Sequence, residues 1–207
     1  MRKRNQGVPL IRLFGFMVLV IAMGGFTQNA HAVPIIYTAS LNGPSESPPN
    51  LSTGTGFAEV DFDIVAQTMH VIVTFSGLTT NTTASHIHAP TASPGTGTAG
   101  IATTVPSFTG FPLGVTSGTY DHSFDMSLAS SYNPAFVTAN GGTVAGAEAA
   151  LGASLAAGEA YLNVHTTQFP AGEIRGFLSV PEPSTLFLLG TGLVGVARYG
   201  RKKFFRK

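Results

Sequence analysis

Phe57-Ala58-Glu59-Val60-Asp61-Phe62-Asp63-Ile64-Val65, followed after three residues by Met69-His70-Val71-Ile72-Val73-Thr74-Phe75, sets the fold class. Ala58, Val60, Phe62 and Ile64 fall on one side, and Glu59, Asp61 and Asp63 on the other. Met69, Val71, Val73 and Phe75 repeat the pattern, with His70, Ile72 and Thr74 opposite. A period of two is that of a strand with one face in a core and one in water. Ala66-Gln67-Thr68 is too short to be anything but a turn, so the two runs predict a β-hairpin.

Working outward, Pro34–Leu41 predicts a first strand, and Asn42–Gly56, rich in Gly, Pro and Ser, a loop. Ala84–Ala89, Ile101–Val105 and Tyr120–Leu128 predict further strands, with Pro90–Gly100 an exposed loop. Asn133-Pro134 has the form of a helix N-cap with proline at the first helical position. Thr143–Ala157 is alanine-rich and predicts a helix despite Gly146 and Gly152. Glu159–His165 and Glu173–Val180 predict a last hairpin. Many short strands with turn signals between them predict an all-β, Greek-key-like β-sandwich with one or two short helices.

The ends of the 207-residue chain read differently. Met1-Arg2-Lys3-Arg4 is a basic start, Leu13–Phe26 an apolar stretch, and Ala30-His31-Ala32 a small-x-small pattern. Together they predict a signal peptide over residues 1–32, a helix cut by signal peptidase after Ala32. At the other end, Val180-Pro181-Glu182-Pro183-Ser184 precedes an apolar run, Thr185–Ala197, closed by Arg198, Arg201, Lys202, Lys203, Arg206 and Lys207. Residues 180–207 resemble the PEP-CTERM sorting signal of exopolysaccharide-producing Gram-negative bacteria. The resemblance implies processing by an exosortase-type membrane protease and transfer to the cell surface or extracellular matrix. The apolar run predicts a hydrophobic anchor helix that holds the precursor in the inner membrane. Thirteen residues reach only ~20 Å of a ~30 Å hydrocarbon core, so the long basic stems must extend it by snorkelling.

Charge supports an exported middle. Ten of the 11 Lys and Arg lie at the two ends, leaving Arg175 alone against nine acids between Val33 and Val180, a net charge of −8. Cations flanking a translocated segment follow the positive-inside pattern. A segment so acidic excludes nucleic-acid binding, which requires a basic face. With no cysteine, disulfides, thiolate zinc sites and thiol catalysis are excluded too.

Within residues 33–179, Ala84-Ser85-His86-Ile87-His88 and the stretch from Tyr161 to Gly176, with Pro170-Ala171-Gly172-Glu173-Ile174-Arg175-Gly176 inside it, resemble the chordin-type, or CHRD, domain. The family is defined by homology to repeats in chordin, an extracellular binder of growth factors. The resemblance implies an extracellular module more firmly than any activity.

His86 and His88, two apart on a strand, present both imidazoles on one side. His165, on the Tyr161/Asn163 side of a later strand, offers a third nitrogen, and His122, beside Tyr120 and Phe124, a fourth. Such a set suits copper or zinc. The other use of these histidines is purely structural, as hydrogen-bonded buried rings holding the Pro90–Gly100 loop to the sheet with no ion and no cofactor. A strand-borne His-x-His also resembles the copper side of a Cu/Zn superoxide dismutase, but that enzyme's disulfide and zinc loop have no counterpart here. His70 falls on the water-facing side of its strand. Glu173 and Arg175, also two apart, predict a structural ion pair, with another carboxylate as the alternative partner for Arg175. No nucleophile elbow, phosphate loop or pair of catalytic carboxylates is recognisable. The expectation is therefore a non-enzymatic surface or matrix module contacting exopolysaccharide or another surface protein, with a copper- or zinc-binding protein as the alternative.

Overall fold

The computed structural model describes residues 33–182. The expected signal peptide with Ala30 and Ala32, and Pro183, Ser184 and the apolar tail with its expected anchor helix, lie outside the described residues. Val180, Pro181 and Glu182 are exposed. Among the described residues no helix is long and apolar enough to cross a membrane.

Seven strands form the domain: β1 Ile35–Asn42, β2 Thr55–Asp63, β3 Thr68–Ser76, β4 Thr82–His88, β5 Gly118–Asp125, β6 Tyr161–Thr166 and β7 Ile174–Phe177. They make one curled antiparallel sheet in the order β4-β6-β7-β1-β2-β3-β5. β1, β2 and β3 are a meander, and β2 and β3 pair in full register from Thr55↔Ser76 to Asp63↔Thr68. The chain then crosses to the far edge for β4 and back to β3 for β5, which gives the expected Greek-key character. Residues 106–116 touch both edges of the curled sheet. Phe108 N donates to Ser85 O (3.0 Å) and Thr82 N to Val115 O (2.8 Å), while the Tyr120 hydroxyl donates to Thr109 O (2.9 Å).

The alternation in β2 and β3 is realised. Ala58, Val60, Phe62, Met69, Val71, Val73 and Phe75 are buried in one core that also takes Leu41, Ile87, Tyr120, Leu162, Val164 and Ile174, so every strand contributes. That shared core, with only two short helices beside it, is the all-β sandwich-like architecture expected. Ile64 does not join it: β2 ends at Asp63, whose Oδ1 accepts from the amides of Val65 and Ala66, and Ile64 turns outward. On the outer side His70 bridges two acids, with Nε2 2.7 Å from Asp121 Oδ1 and Nδ1 3.6 Å from Asp61 Oδ2. The bond to Asp121 is the main reason its pKa is raised.

Three expected strands change; Glu173–Val180 shortens to β7, Ile174–Phe177, with one isolated bridge beyond it, Thr38↔Ser179. Ile101–Val105 makes only single bridges, His88↔Ile101 and Thr103↔Tyr132, because Ala102 is strung between Ile87 O and Asn133 N. The strand expected at Tyr120–Leu128 runs from Gly118 to Asp125, where the Asp125 carboxylate accepts from Ser127 and turns the chain.

α1, Pro134–Ala139, starts on Asn133 as its capping pattern requires, with Asn133 Oδ1 accepting from Ala135 N (3.0 Å). α2, Val144–Ala157, buries Ala147, Glu148, Leu151, Ser154 and Leu155, the spacing of one helical face. Gly152 lets the helix lie close against Phe62, where a Cβ would meet the ring at 3.0 Å. Gly158, at φ +69°, closes the helix in the left-handed conformation. The Thr143 hydroxyl accepts from Gly146 N (3.1 Å) at the other end. Thr143→Ala is expected to cost about 1 kcal/mol, read as a lowered urea midpoint at unchanged slope.

Candidate metal centre

β4 and β6 pair as Ala84↔His165, His86↔Asn163 and His88↔Tyr161. Ile87, Leu162 and Val164 point into the apolar core, so His86, His88, Tyr161, Asn163 and His165 take the opposite face. Loops cover that face, and every residue of β6 is buried. The domain thus has a second, polar interior outside its sheet.

His86, His88 and His165 converge there. One ligand nitrogen from each lies within 4.8 Å of the others, and the residues are 3%, 8% and 8% exposed. The outward nitrogen of each ring faces a main-chain carbonyl. His86 Nε2 is 2.6 Å from Pro106 O, His88 Nδ1 3.0 Å from Ala99 O, and His165 Nδ1 3.1 Å from Pro170 O. A carbonyl can only accept, so those three nitrogens carry the protons. In the neutral rings His86 Nδ1, His88 Nε2 and His165 Nε2 are therefore bare lone pairs.

Two of these lone pairs face each other, with His86 Nδ1 3.3 Å from His165 Nε2. The third, on His88 Nε2, is buried with no hydrogen-bond partner. Burial also holds the rings neutral. It is the main cause of pKa values lowered to about 4 for His88 and about 4 for His165, and lowered in His86. A proton is thus a poor filler for the gap between the rings, whereas a cation that binds neutral imidazole suits it. Two nitrogens ~2.0–2.1 Å from one tetrahedral ion stand about 3.3–3.4 Å apart, the spacing of the His86–His165 pair. A carbonyl that fixes the tautomer of each ligand is the usual outer support of a histidine metal site.

His122 is not part of this group. β5 pairs with β3, placing His122 opposite Val71, and its ring packs between Tyr120 (5.9 Å) and Phe124 (4.8 Å). The same-side pattern that suggested it as a fourth ligand carries no information about which strands become neighbours.

The expected Glu173–Arg175 pair is also corrected. Glu173 precedes β7 and is buried against other partners. Its Oε1 accepts from the Ser52 hydroxyl (2.6 Å) and Thr79 N (2.5 Å), its Oε2 from the Thr166 hydroxyl (2.6 Å). Burial alone would raise its pKa, but these bonds outweigh it and the value is lowered. Among the described residues the carboxylate beside Arg175 is that of Glu46, 3.7 Å from Nε. Arg175 also donates to Ser45 O (2.5 Å) and Gly97 O (3.0 Å), pinning two loops over the polar face. Burial pushes Glu46 up to about 7, partly offset by Arg175.

The family model for the CHRD domain matches residues 37–178. The chain belongs to the CHRD family. The match ends where a second begins: the PEP-CTERM protein-sorting motif covers residues 179–202. A CHRD domain joined to this motif marks an exported protein handled by exosortase-type machinery. No curated protein and no solved structure matches the chain. In this CHRD domain the sequence readily shows the three histidines, but not their supports. Pro106, Ala99 and Pro170 act through main-chain oxygens, for which no residue type is a signal. Glu46 had one, as the only acid in the loop between β1 and β2.

Proposed function

We propose that the exported CHRD domain is a non-enzymatic metal-binding module that holds copper or zinc on His86, His88 and His165. We place it at the surface or in the matrix of a Gram-negative envelope, released there by tail processing. One observation carries the metal reading: His86 Nδ1 and His165 Nε2 present lone pairs to each other at 3.3 Å inside a buried cluster of side chains. That arrangement is repulsive when empty of charge and favourable around a cation. The exclusion of bulk water from the three rings supports retention of an ion over turnover of a substrate.

The test is metal content of the exported protein recovered without an affinity tag. Near-stoichiometric copper or zinc is expected, lost in His88→Ala and kept in His122→Ala. A metal-free wild type whose melting temperature ignores copper, zinc and chelator would overturn the assignment.

A further inference from the structure

Resting on that three-histidine reading, we infer that the centre takes copper in preference to zinc and holds it as a three-coordinate cuprous ion. The first support is the donor set. Three neutral nitrogens form the group, and among the described residues no carboxylate or fourth histidine joins it. Zinc in proteins is almost always four-coordinate and usually draws on an anionic ligand or a bound water to complete its shell. Three imidazoles around a monovalent ion leave one positive charge in the interior; around a divalent ion they leave two.

The outer supports are neutral as well. Carboxylates behind ligating histidines favour a dication by sending negative charge through the ring. Here all three rings are backed by carbonyls of Pro106, Ala99 and Pro170. The site is therefore oriented without being made electron-rich.

The third support is a cation. His88 lies parallel to Tyr161, within 3° at a centroid distance of 4.8 Å, and Arg175 Cζ sits 4.6 Å from the Tyr161 centroid. Tyr161 pairs with His88 on β4 and with Phe177 on β7, so the ring stands between the imidazole and the guanidinium. A fixed positive charge about two ring-stacking distances from the His88 imidazole penalises each added unit of metal charge beyond that ring. At an effective dielectric of ~20 that penalty is worth about tenfold in affinity. The Glu46 carboxylate, 3.7 Å from Arg175 Nε, offsets part of it.

The test uses the exported protein, stripped of metal and loaded anaerobically with cuprous ion, zinc or cupric ion. X-ray absorption of the cuprous form is expected to show three nitrogen neighbours and the edge feature of three-coordinate cuprous copper. An excess of zinc is expected not to displace it. Arg175→Met is expected to lower the cuprous-over-cupric preference about tenfold, a shift of about 59 mV in potential for one electron. Should Arg175→Met not fold, the wild-type spectra and displacement decide alone. Zinc bound in a four-coordinate shell and displacing cuprous ion would overturn the inference and leave the metal reading standing. An unchanged potential in a folded Arg175→Met would remove the role given to the guanidinium. Failure of all three ions to bind would overturn both readings.

Discussion

Acidifying the metal-free domain from pH 6.5 to pH 4.5 is expected to remove several kcal/mol of its stability, with the loss beginning above the range where ordinary carboxylates titrate. The cause is the buried histidine trio. Burial lowers His88 to about 4 and His165 to about 4, and lowers His86. The unfolded chain takes up protons on these rings near pH 6.5, while the folded domain does not. Stability is thus fully present above the unfolded value and is lost as pH falls toward the folded one. Glu46, pushed up to about 7, works in the opposite direction: the folded state takes up its proton first and gains stability on acidification. His70, whose pKa is raised, adds stability below its unfolded value and loses it as pH rises through the folded one, so it lies mostly outside this window. The net excess is one to two protons on the unfolded chain, a slope of about 1.4–2.8 kcal/mol per pH unit. Urea midpoints at pH 6.5, 5.5 and 4.5 with constant slope measure it. A flat response would show that the three rings are not held neutral.

Glu173→Ala is expected to cost about 3–5 kcal/mol, a large share of the 5–15 kcal/mol that holds a domain of this kind together. The carboxylate receives bonds from Ser52, Thr79 and Thr166, and so ties three separate segments of the chain together. Deleting it strands the buried Thr166 hydroxyl and removes the acceptor of the Ser52 hydroxyl and the Thr79 amide. Glu173→Gln keeps the shape but replaces one acceptor with a donor, and should recover part of the loss. Denaturation of both variants at pH 7 reads the difference. A cost under about 1 kcal/mol for the alanine variant would contradict the bonding described.

The strands that stand out most plainly in the sequence are those with water on one side. β2 and β3 announce themselves because Glu59, Asp61, His70 and Thr74 alternate with residues of the core. β6 alternates as well, and its strand is legible as Glu159–His165, but the cover over its polar side is not. Its polar side is covered by loops from distant parts of the chain, so Asn163 and His165 are as buried as Leu162 and Val164. Ile101–Val105 has strand composition, yet tertiary contacts at Ala102 hold it as a bridge instead. His86 and His88 share a face by simple alternation, which local spacing reveals. Joining His165 to them, and leaving His122 aside, depends on strand order, which spacing does not contain. The sequence allowed another carboxylate than Glu173 for Arg175, but that Glu46 reaches it, from a distant loop, again depends on the fold.

His86 and His165 stand 79 positions apart, on neighbouring strands that come fourth and sixth of seven along the chain. A chain threaded outward from its N-terminal end would deliver β6 among its last strands, so the trio cannot assemble until translocation of the domain is almost finished. Whatever ion the pocket acquires would then be drawn from the compartment where folding concludes, not from the cytosol where synthesis began. Metal selection would be a matter of geography as much as of affinity.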